Sequence, residues 1–388
     1  PIYTHDNGEA FNNLLKFGDK MLQYSNVFID AIKESVIVNK PDFIVFTGDL
    51  TINGLKENHI EFSKKLSEFV KLGTCVYVIP GNHDISNEEA VFYYEDKLLK
   101  GNNVDKNKFV EIYYDFGYNQ SISRDEDSLS YLVMATEDVW LLMIDSTNDY
   151  PDHGGSLSSS TLQWIESCSE LAKEKNSKMI AVMHHSLIDH SKIISDNYTI
   201  ENNEEILKCF SKSDIEIVLT GHIHLQDIKE YNIDDHIIYD IATSSLSVYP
   251  HQFGTMHYSP YKGYNYHTVK LDMTQYAIDN GLNDEFLIEF DSNSEQFFKD
   301  KCCSSQRNCI NNIEELNERE KEEVIKVVSE MNKLFFAGYR NEYLEYLKDF
   351  EGFKLLESIS TCPVKNYALA ILNDERANNN IISIPISD

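Results

Sequence analysis

The sequence predicts an α/β fold whose buried strands carry polar residues to a single rim, and three observations predict it. Phe43-Ile44-Val45-Phe46-Thr47 and Cys75-Val76-Tyr77-Val78-Ile79-Pro80 are apolar runs of strand length, separated by residues 57–72 with Ile60, Phe62, Leu66, Phe69 and Val70 at helical spacing. Both runs end in a turn bearing metal-type ligands, Gly48-Asp49-Leu50-Thr51 and Gly81-Asn82-His83-Asp84. Two later apolar runs, 178–183 and 215–220, end in His184-His185 and in Gly221-His222-Ile223-His224. Open α/β sheets place ligands at the C-terminal ends of their strands. A glycine before the carboxylate or amide lets the backbone turn sharply and approach an ion.

Each ligand has an ordinary structural alternative. An aspartate after a strand caps a helix, an asparagine holds a turn, and paired histidines sit satisfied in a core. Singly, those are the better accounts. Jointly they are not, because turn formation does not place histidines at two strand ends in register with Asp49 and Asn82. Oxygen and imidazole ligands converging on one rim describe a hydrolytic metal centre. Without thiolate, such a set suits Mn, Fe, Zn or Co.

These blocks resemble, in order and spacing, four of the five signature blocks of the calcineurin-like metallophosphoesterases, and they span most of the first two-thirds of the chain. Gly48-Asp49-Leu50-Thr51 with Asn53-Gly54 following is similar to the bacterial branch that includes the class III cyclic nucleotide phosphodiesterases. The resemblance implies a four-layer αββα sandwich and a centre of two divalent ions (Mn, Fe or Zn). It assigns Asp49 as the bridge between the ions, with Asn82, His184 and His222 completing one and His224 joining the other. His184 is preferred to His185 as the first residue after the apolar run. By the same resemblance a bridging water, acidified by both ions, attacks phosphorus in line. His83 faces the scissile phosphate and stabilises or protonates the leaving oxygen, while Asp84 orients the His83 ring and raises its pKa.

The family's opening block, Asp-x-His, is absent. The sequence begins Pro1-Ile2-Tyr3-Thr4-His5-Asp6-Asn7-Gly8-Glu9-Ala10-Phe11, and in relatives a stretch like 6–11 follows that block into the first helix. The expectation is that the sequence starts just downstream of the block. His5-Asp6 has the reverse order and is expected as loop and helix cap.

With 388 residues the chain accommodates two domains, and a 42% hydrophobic fraction is that of a globular protein. Thirty-four basic residues against 64 acidic ones give a net charge of −30, which repels phosphate backbones and argues against a nucleic-acid duplex as partner. A small phosphate ester remains compatible, since bound cations reverse the local potential. No apolar run approaches the roughly 20 residues of a membrane helix. Seven cysteines are too few for a disulfide framework. Cys75, Cys168 and Cys209 read as buried thiols, while Cys302, Cys303 and Cys309 allow a disulfide or, less readily, a zinc site. Compartment and oligomeric state are not legible.

The remaining elements follow in order. Residues 8–39 read as one long amphipathic helix stopped by Pro41. Tyr93, Tyr94, Tyr113 and Tyr114 mark the segment after Asp84 as either a lid or aromatic packing. Residues 129–134 and 139–145 form a strand pair, with Asp145 supporting the site or capping a turn. Asp152-His153-Gly154-Gly155 precedes a helix from about Ser159; His153 either touches substrate or faces solvent. Residues 237–241 and 266–271 are strands, and the aromatic, histidine-bearing loop between them (His251, His257, Tyr258, Tyr261, Tyr264) is expected near the rim. In residues 312–351 an apolar stripe (Val324, Val327, Val328, Met331, Phe335) reads as helix core. The expected domains are 1–274, metallophosphoesterase, and 275–388, helical.

The leading function is a metal-dependent phosphodiesterase acting on a small phosphate ester, with cyclic nucleotides favoured. The alternatives are a phosphomonoesterase or nuclease on the same centre, or a non-catalytic binding protein with a degenerate metal site.

Overall fold

A computed structural model describes residues 2–3, 8–191, 197–302, 304–373 and 376–386, which form two compact units. The first holds Met21–Ile223 and Ile228–Thr243 with the N-terminal segment; the second holds Ser244–Asp388 with His224–Asp227 and Phe17–Lys20. The expected boundary at 274/275 therefore falls inside the second unit. The reason is strand pairing: Ile381–Ile384, near the C-terminus, pairs antiparallel with Gly263–Lys270 and draws that strand in with the helices.

The first unit runs α1 (Glu9–Phe17), α2 (Ser25–Asn39), β1 (Phe43–Phe46), α3 (Lys56–Lys71), β2 (Cys75–Val78), β3 (Val91–Tyr94), β4 (Lys97–Lys100), α4 (Lys106–Ile112), β5 (Ser123–Arg124), β6 (Tyr131–Met134), β7 (Val139–Ile144), α5 (Ser159–Glu174), β8 (Lys178–Met183), α6 (Asn203–Lys212), β9 (Ile217–Thr220), β10 (Asp227–Ile233) and β11 (His236–Ala242). Strands β1 and β2 pair parallel, Phe43 opposite Cys75 through Phe46 opposite Val78. A second sheet has the order β10-β11-β9-β8-β7-β6-β5, parallel from β11 to β7. All six residues of β7 are buried, as expected of a parallel strand covered on both faces.

The layers stack as the sequence predicts. Phe62 of α3 packs edge-on against Phe46 of β1, ring centroids 5.2 Å apart. Between the sheets, the buried Tyr131 hydroxyl of β6 donates to the Val78 carbonyl (2.7 Å) and accepts from its N–H (3.2 Å). On the far side Trp140, Leu142 and Ile144 of β7 and Ala181 and Met183 of β8 share a core with Ile165 and Cys168 of α5 and Leu207 and Phe210 of α6. The fold is a mixed α/β sandwich.

One expectation changes, and one open alternative is decided. The helix over 8–39 is two helices, because Gly18-Asp19 interrupts the amphipathic pattern before Ser25 restarts it. At its end Lys40 adopts a left-handed φ of 46° ahead of Pro41. The stretch after Asp84 is a hairpin and a short helix whose aromatics are core: Phe109, Tyr113 and Tyr118 are buried, although Tyr94 and Tyr114 are exposed. His5 and Asp6 lie outside the described residues.

In the second unit a three-stranded sheet of β12 (Gln252–Ser259), β13 (Gly263–Lys270) and β14 (Ile381–Ile384) accompanies α7 (Met273–Asp279), α8 (Glu285–Ile288), α9 (Phe290–Cys302), α10 (Ser304–Asn311), α11 (Glu318–Phe336), α12 (Glu351–Ser358) and α13 (Pro363–Leu372). The aromatic loop expected between residues 241 and 266 is largely strand. Tyr258 stands opposite Tyr264, rings 4.7 Å apart, and such cross-strand aromatic pairs stabilise a hairpin. Helix α11 starts at a capping box of Asn317 and Glu320, and its stripe of Val324, Val327, Val328, Met331 and Phe335 is buried. Arg340, fully buried, lies 3.4 Å from the Asp227 carboxylate and 3.9 Å above the Phe335 ring. Cys75, Cys168, Cys209 and Cys309 are free thiols, and Cys303 lies outside the described residues. Among the described residues no helix is long and apolar enough to cross a membrane.

His251 links this unit's stability to pH. Its Nδ1 donates to the Leu246 carbonyl (2.8 Å) and its ring packs on Phe290, centroids 4.8 Å apart. Burial lowers its pKa from the ordinary 6.5 to about 4. The folded protein keeps the ring neutral where the unfolded chain protonates it, so stability is full above pH 6.5 and falls as pH drops towards 4. The loss reaches at most roughly 3 kcal/mol. Urea unfolding between pH 7 and 4 is expected to show a shallower decline for His251→Gln than for the wild type; parallel declines would contradict the assignment.

Candidate metal centre

The turns after β1, β2, β8 and β9 bring Asp49, Asn82, His184 and His222 together. His184 Nε2 lies 3.0 Å from Asn82 Oδ1, 3.1 Å from His222 Nδ1 and 3.4 Å from Asp49 Oδ1. The hydrogen bonds behind these atoms fix what they are. His184 Nδ1 is 2.7 Å from the Thr47 carbonyl, which only accepts, so the neutral ring carries its proton on Nδ1 and a lone pair on Nε2. His222 Nε2 is 2.9 Å from the Asn197 carbonyl, which leaves its lone pair on Nδ1. Asn82 Nδ2 meets His153 Nδ1 at 3.1 Å, so Oδ1 faces His184. Burial, with His184 beside it, pushes His222 down to about 3, keeping the ring neutral.

Four lone-pair donors therefore point at one another with no hydrogen among them. Such an arrangement repels unless a cation sits within it. Two nitrogens and two oxygens suit a borderline divalent ion, and the carbonyls behind both imidazoles orient them as outer-shell partners do. The residues fit a metal.

The backbone around them is strained in the same place. Asp49, His222 and His224 have φ of 52°, 61° and 59°, left-handed values that cost a non-glycine residue about 1 kcal/mol or more. Gly48, at φ 87°, lies where a Cβ would come within 2.6 Å of His184 Nδ1. At Gly81 a Cβ would collide with the Asp49 backbone nitrogen and carboxylate. Close approach of the two loops requires glycine at both positions.

Asp84, to which the resemblance gives the orientation of the His83 ring, joins the two turns. It is fully buried, and its carboxylate accepts from Thr51 N (2.9 Å), Thr51 Oγ1 (2.9 Å), Leu50 N (3.0 Å) and Gly81 N (2.9 Å). It ties the 48–51 turn to the 81–84 turn. Its own carbonyl receives His59 Nε2 at 3.0 Å, and the Tyr113 hydroxyl meets His59 Nδ1 at 2.9 Å; burial holds His59 below its ordinary pKa. The carboxylate beside His83 is Asp49, whose Oδ2 is 3.9 Å from His83 Nε2, while the His83 N–H donates to Asp49 Oδ1 (3.2 Å). The His83 side chain is one-third exposed.

Other residues find their places. His185 Nδ1 meets Ser146 Oγ (2.9 Å) and Nε2 meets the His153 carbonyl (3.1 Å), which engages both its ring nitrogens away from the four donors. His153 thus holds Asn82 and His185, and its ring lies 5.9 Å from that of His83. Asp145 caps a turn, accepting from Thr147 N, Thr147 Oγ1 and Leu129 N. His224 belongs to the second compact unit and is not among the residues gathered with Asp49, His184 and His222. Thr47, Asn197 and Tyr198, whose ring lies 5.1 Å from His222, were not singled out in the sequence; two act through backbone carbonyls, which side-chain chemistry does not signal.

Known proteins resemble the chain in both its N-terminal and its C-terminal part. The family described as calcineurin-like phosphoesterase matches residues 5–226, more than half of the chain, and the C-terminal domain of cyclic nucleotide phosphodiesterase matches 272–378. A relative from Arcobacter nitrofigilis, named "Probable glycerophosphodiester phosphodiesterase GpdQ", is 31% identical over 192 residues, covering 48% of this chain and 57% of that one. A Coxiella burnetii relative, named "Probable cyclic nucleotide phosphodiesterase", is 24% identical over 205 residues, 52% of this chain and 67% of the other. The chain thus spans little more than half the length of the first of these. A crystal structure of a dimetal phosphatase from Danio rerio overlays with a TM-score of 0.46 at 13% identity, over 65% of this chain and 87% of that one. The four convergent donors and the match over 5–226 lead to one statement: the chain belongs to the calcineurin-like phosphoesterase family.

Proposed function

We propose that the protein is a metal-dependent phosphoric ester hydrolase acting on small phosphodiesters, with 3′,5′-cyclic nucleotides as the favoured class. The convergence of lone pairs from Asp49, Asn82, His184 and His222 carries the reading. These four residues would hold one divalent ion, Mn, Fe or Zn. Asp49 has a second oxygen, which a further ion would use. Bound there, divalent ions supply Lewis-acid polarisation of the phosphate and a nucleophilic water at neutral pH.

The chain's own residues do the rest. Neutral His184 and His222 offer lone pairs, and the carbonyls of Thr47 and Asn197 keep them aimed. His83, held at the rim by its N–H to Asp49, gives a proton to the leaving oxygen. Asp84 positions both turns. The diester reading draws on the names of the two relatives and on the C-terminal match. A net charge of −30 favours a small ester over a polynucleotide.

Assays of the Mn²⁺-loaded full chain on bis-p-nitrophenyl phosphate, p-nitrophenyl phosphate and 3′,5′-cyclic AMP test the class. Hydrolysis of the diesters over the monoester is expected, and turnover of the monoester alone overturns the diester reading. His83→Ala is expected to lower kcat about 100-fold or more with bound metal unchanged; equal activity removes His83 from the chemistry. His184→Ala is expected to lose metal, and retention of the full complement contradicts its assignment. Asp84→Asn turns an amide donor against N–H groups and is expected to cost about 3 kcal/mol in urea unfolding. Its pH–rate profile should keep the limb set by His83, and a displaced limb would restore Asp84 as that ring's partner.

A further inference from the structure

A second set of metal-type side chains lies at the other end of the same sheet. Asp214 and Glu216 precede β9 and His236 opens β11, while the Asp49 centre sits beyond the C-terminal ends of β8 and β9. Six strand residues of β8 separate the two ends, about 20 Å. One ligand atom from each of Asp214, Glu216 and His236 falls within 4.8 Å of the others.

Two observations set this cluster apart from a patch of surface acid. Glu216 is only 9% exposed, and Lys178 is the nearby cation whose charge acts on its carboxylate. His236 Nε2 is buried and without a hydrogen-bond partner, 3.8 Å from Asp214 Oδ1. A buried imidazole nitrogen without a hydrogen bond, beside a largely buried carboxylate, costs stability that a shared cation recovers. Asp214, about half exposed, keeps one side of the cluster open to water. The Lys178 ammonium, 3.9 Å from Asp214 Oδ2, is the cation now nearest and competes for the same charge.

We propose that Asp214, Glu216 and His236 form a second metal site, taking Zn²⁺ or a similar borderline divalent ion and fastening the start of β9 to the start of β11. One imidazole and two carboxylates are a three-residue zinc set with a fourth position for water, whereas Ca²⁺ and Mg²⁺ prefer oxygen alone. Bonds of about 2.1 Å put tetrahedral donors roughly 3.4 Å apart, within reach of side-chain adjustment. The Glu216 N-terminal edge is already joined to β11, its carbonyl accepting from Tyr239 N at 2.8 Å. The ion binds a preformed edge.

Titration of the chelator-stripped full chain with ZnCl₂ by calorimetry tests the site. Glu216→Gln and His236→Gln are each expected to bind one equivalent fewer than the wild type and to lose the zinc-dependent rise in thermal midpoint, with diester hydrolysis retained. Asp49→Asn is expected to lose hydrolysis and keep this equivalent, so the two centres fail or stand separately. Lys178→Met removes the competing charge and is expected to tighten this equivalent roughly tenfold. Equal equivalents in the wild type, Glu216→Gln and His236→Gln overturn the proposal. If those two variants do not fold, as judged by circular dichroism, unchanged affinity in Lys178→Met overturns it.

Discussion

Lone pairs of His184 Nε2, His222 Nδ1, Asn82 Oδ1 and Asp49 Oδ1 meet within hydrogen-bonding range of His184, and no hydrogen lies between them. Left to themselves these atoms repel. The chain nevertheless drives them together, through carbonyls that take the opposite ring protons, an amide that turns its NH₂ to His153, and left-handed backbone at Asp49 and His222. Strain gathered at one point needs compensation elsewhere. Much of it comes from Asp84, whose carboxylate collects four donors from two turns in a dry interior.

The sheets supply the rigidity on which that clamp stands. Buried strands β7 and β8 are covered on one side by α5 and α6, and the Tyr131–Val78 hydrogen bonds hold β6 to β2 across the sandwich. Such packing leaves few ways for the turns to relax. A metal bound at the rim as proposed would find its ligands already in place, which lowers the entropy lost on binding. The acidic surface pulls the same way: at a net charge of −30 the protein attracts cations from a distance.

Strand ends were legible because four apolar runs each stop at a residue of metal-ligand type, three of them across a glycine, a joint pattern that turn formation alone does not produce. Asp49, Asn82, His184 and His222 could be placed together on that ground. The four donors that Asp84 collects were not legible, because adjacency to His83 in the chain says nothing of direction; in the turn the His83 side chain is one-third exposed and Asp84 is buried. The break at Gly18-Asp19 was lost within a helical pattern that runs on either side of it. Strand β12 escaped because its aromatic and polar residues bury only in part, so neither face gives a clean apolar signal. The alliance of β14 with β13 joins residues more than a hundred positions apart, beyond any local pattern.

The central claim is that a cation completes the donor set around His184. Anomalous diffraction from crystals soaked in Mn²⁺ measures it directly. The account predicts a peak about 2.0–2.3 Å from His184 Nε2, His222 Nδ1, Asn82 Oδ1 and an Asp49 oxygen. A crystal with no anomalous peak there, or with the ion on His185 and away from Asp49, would contradict it.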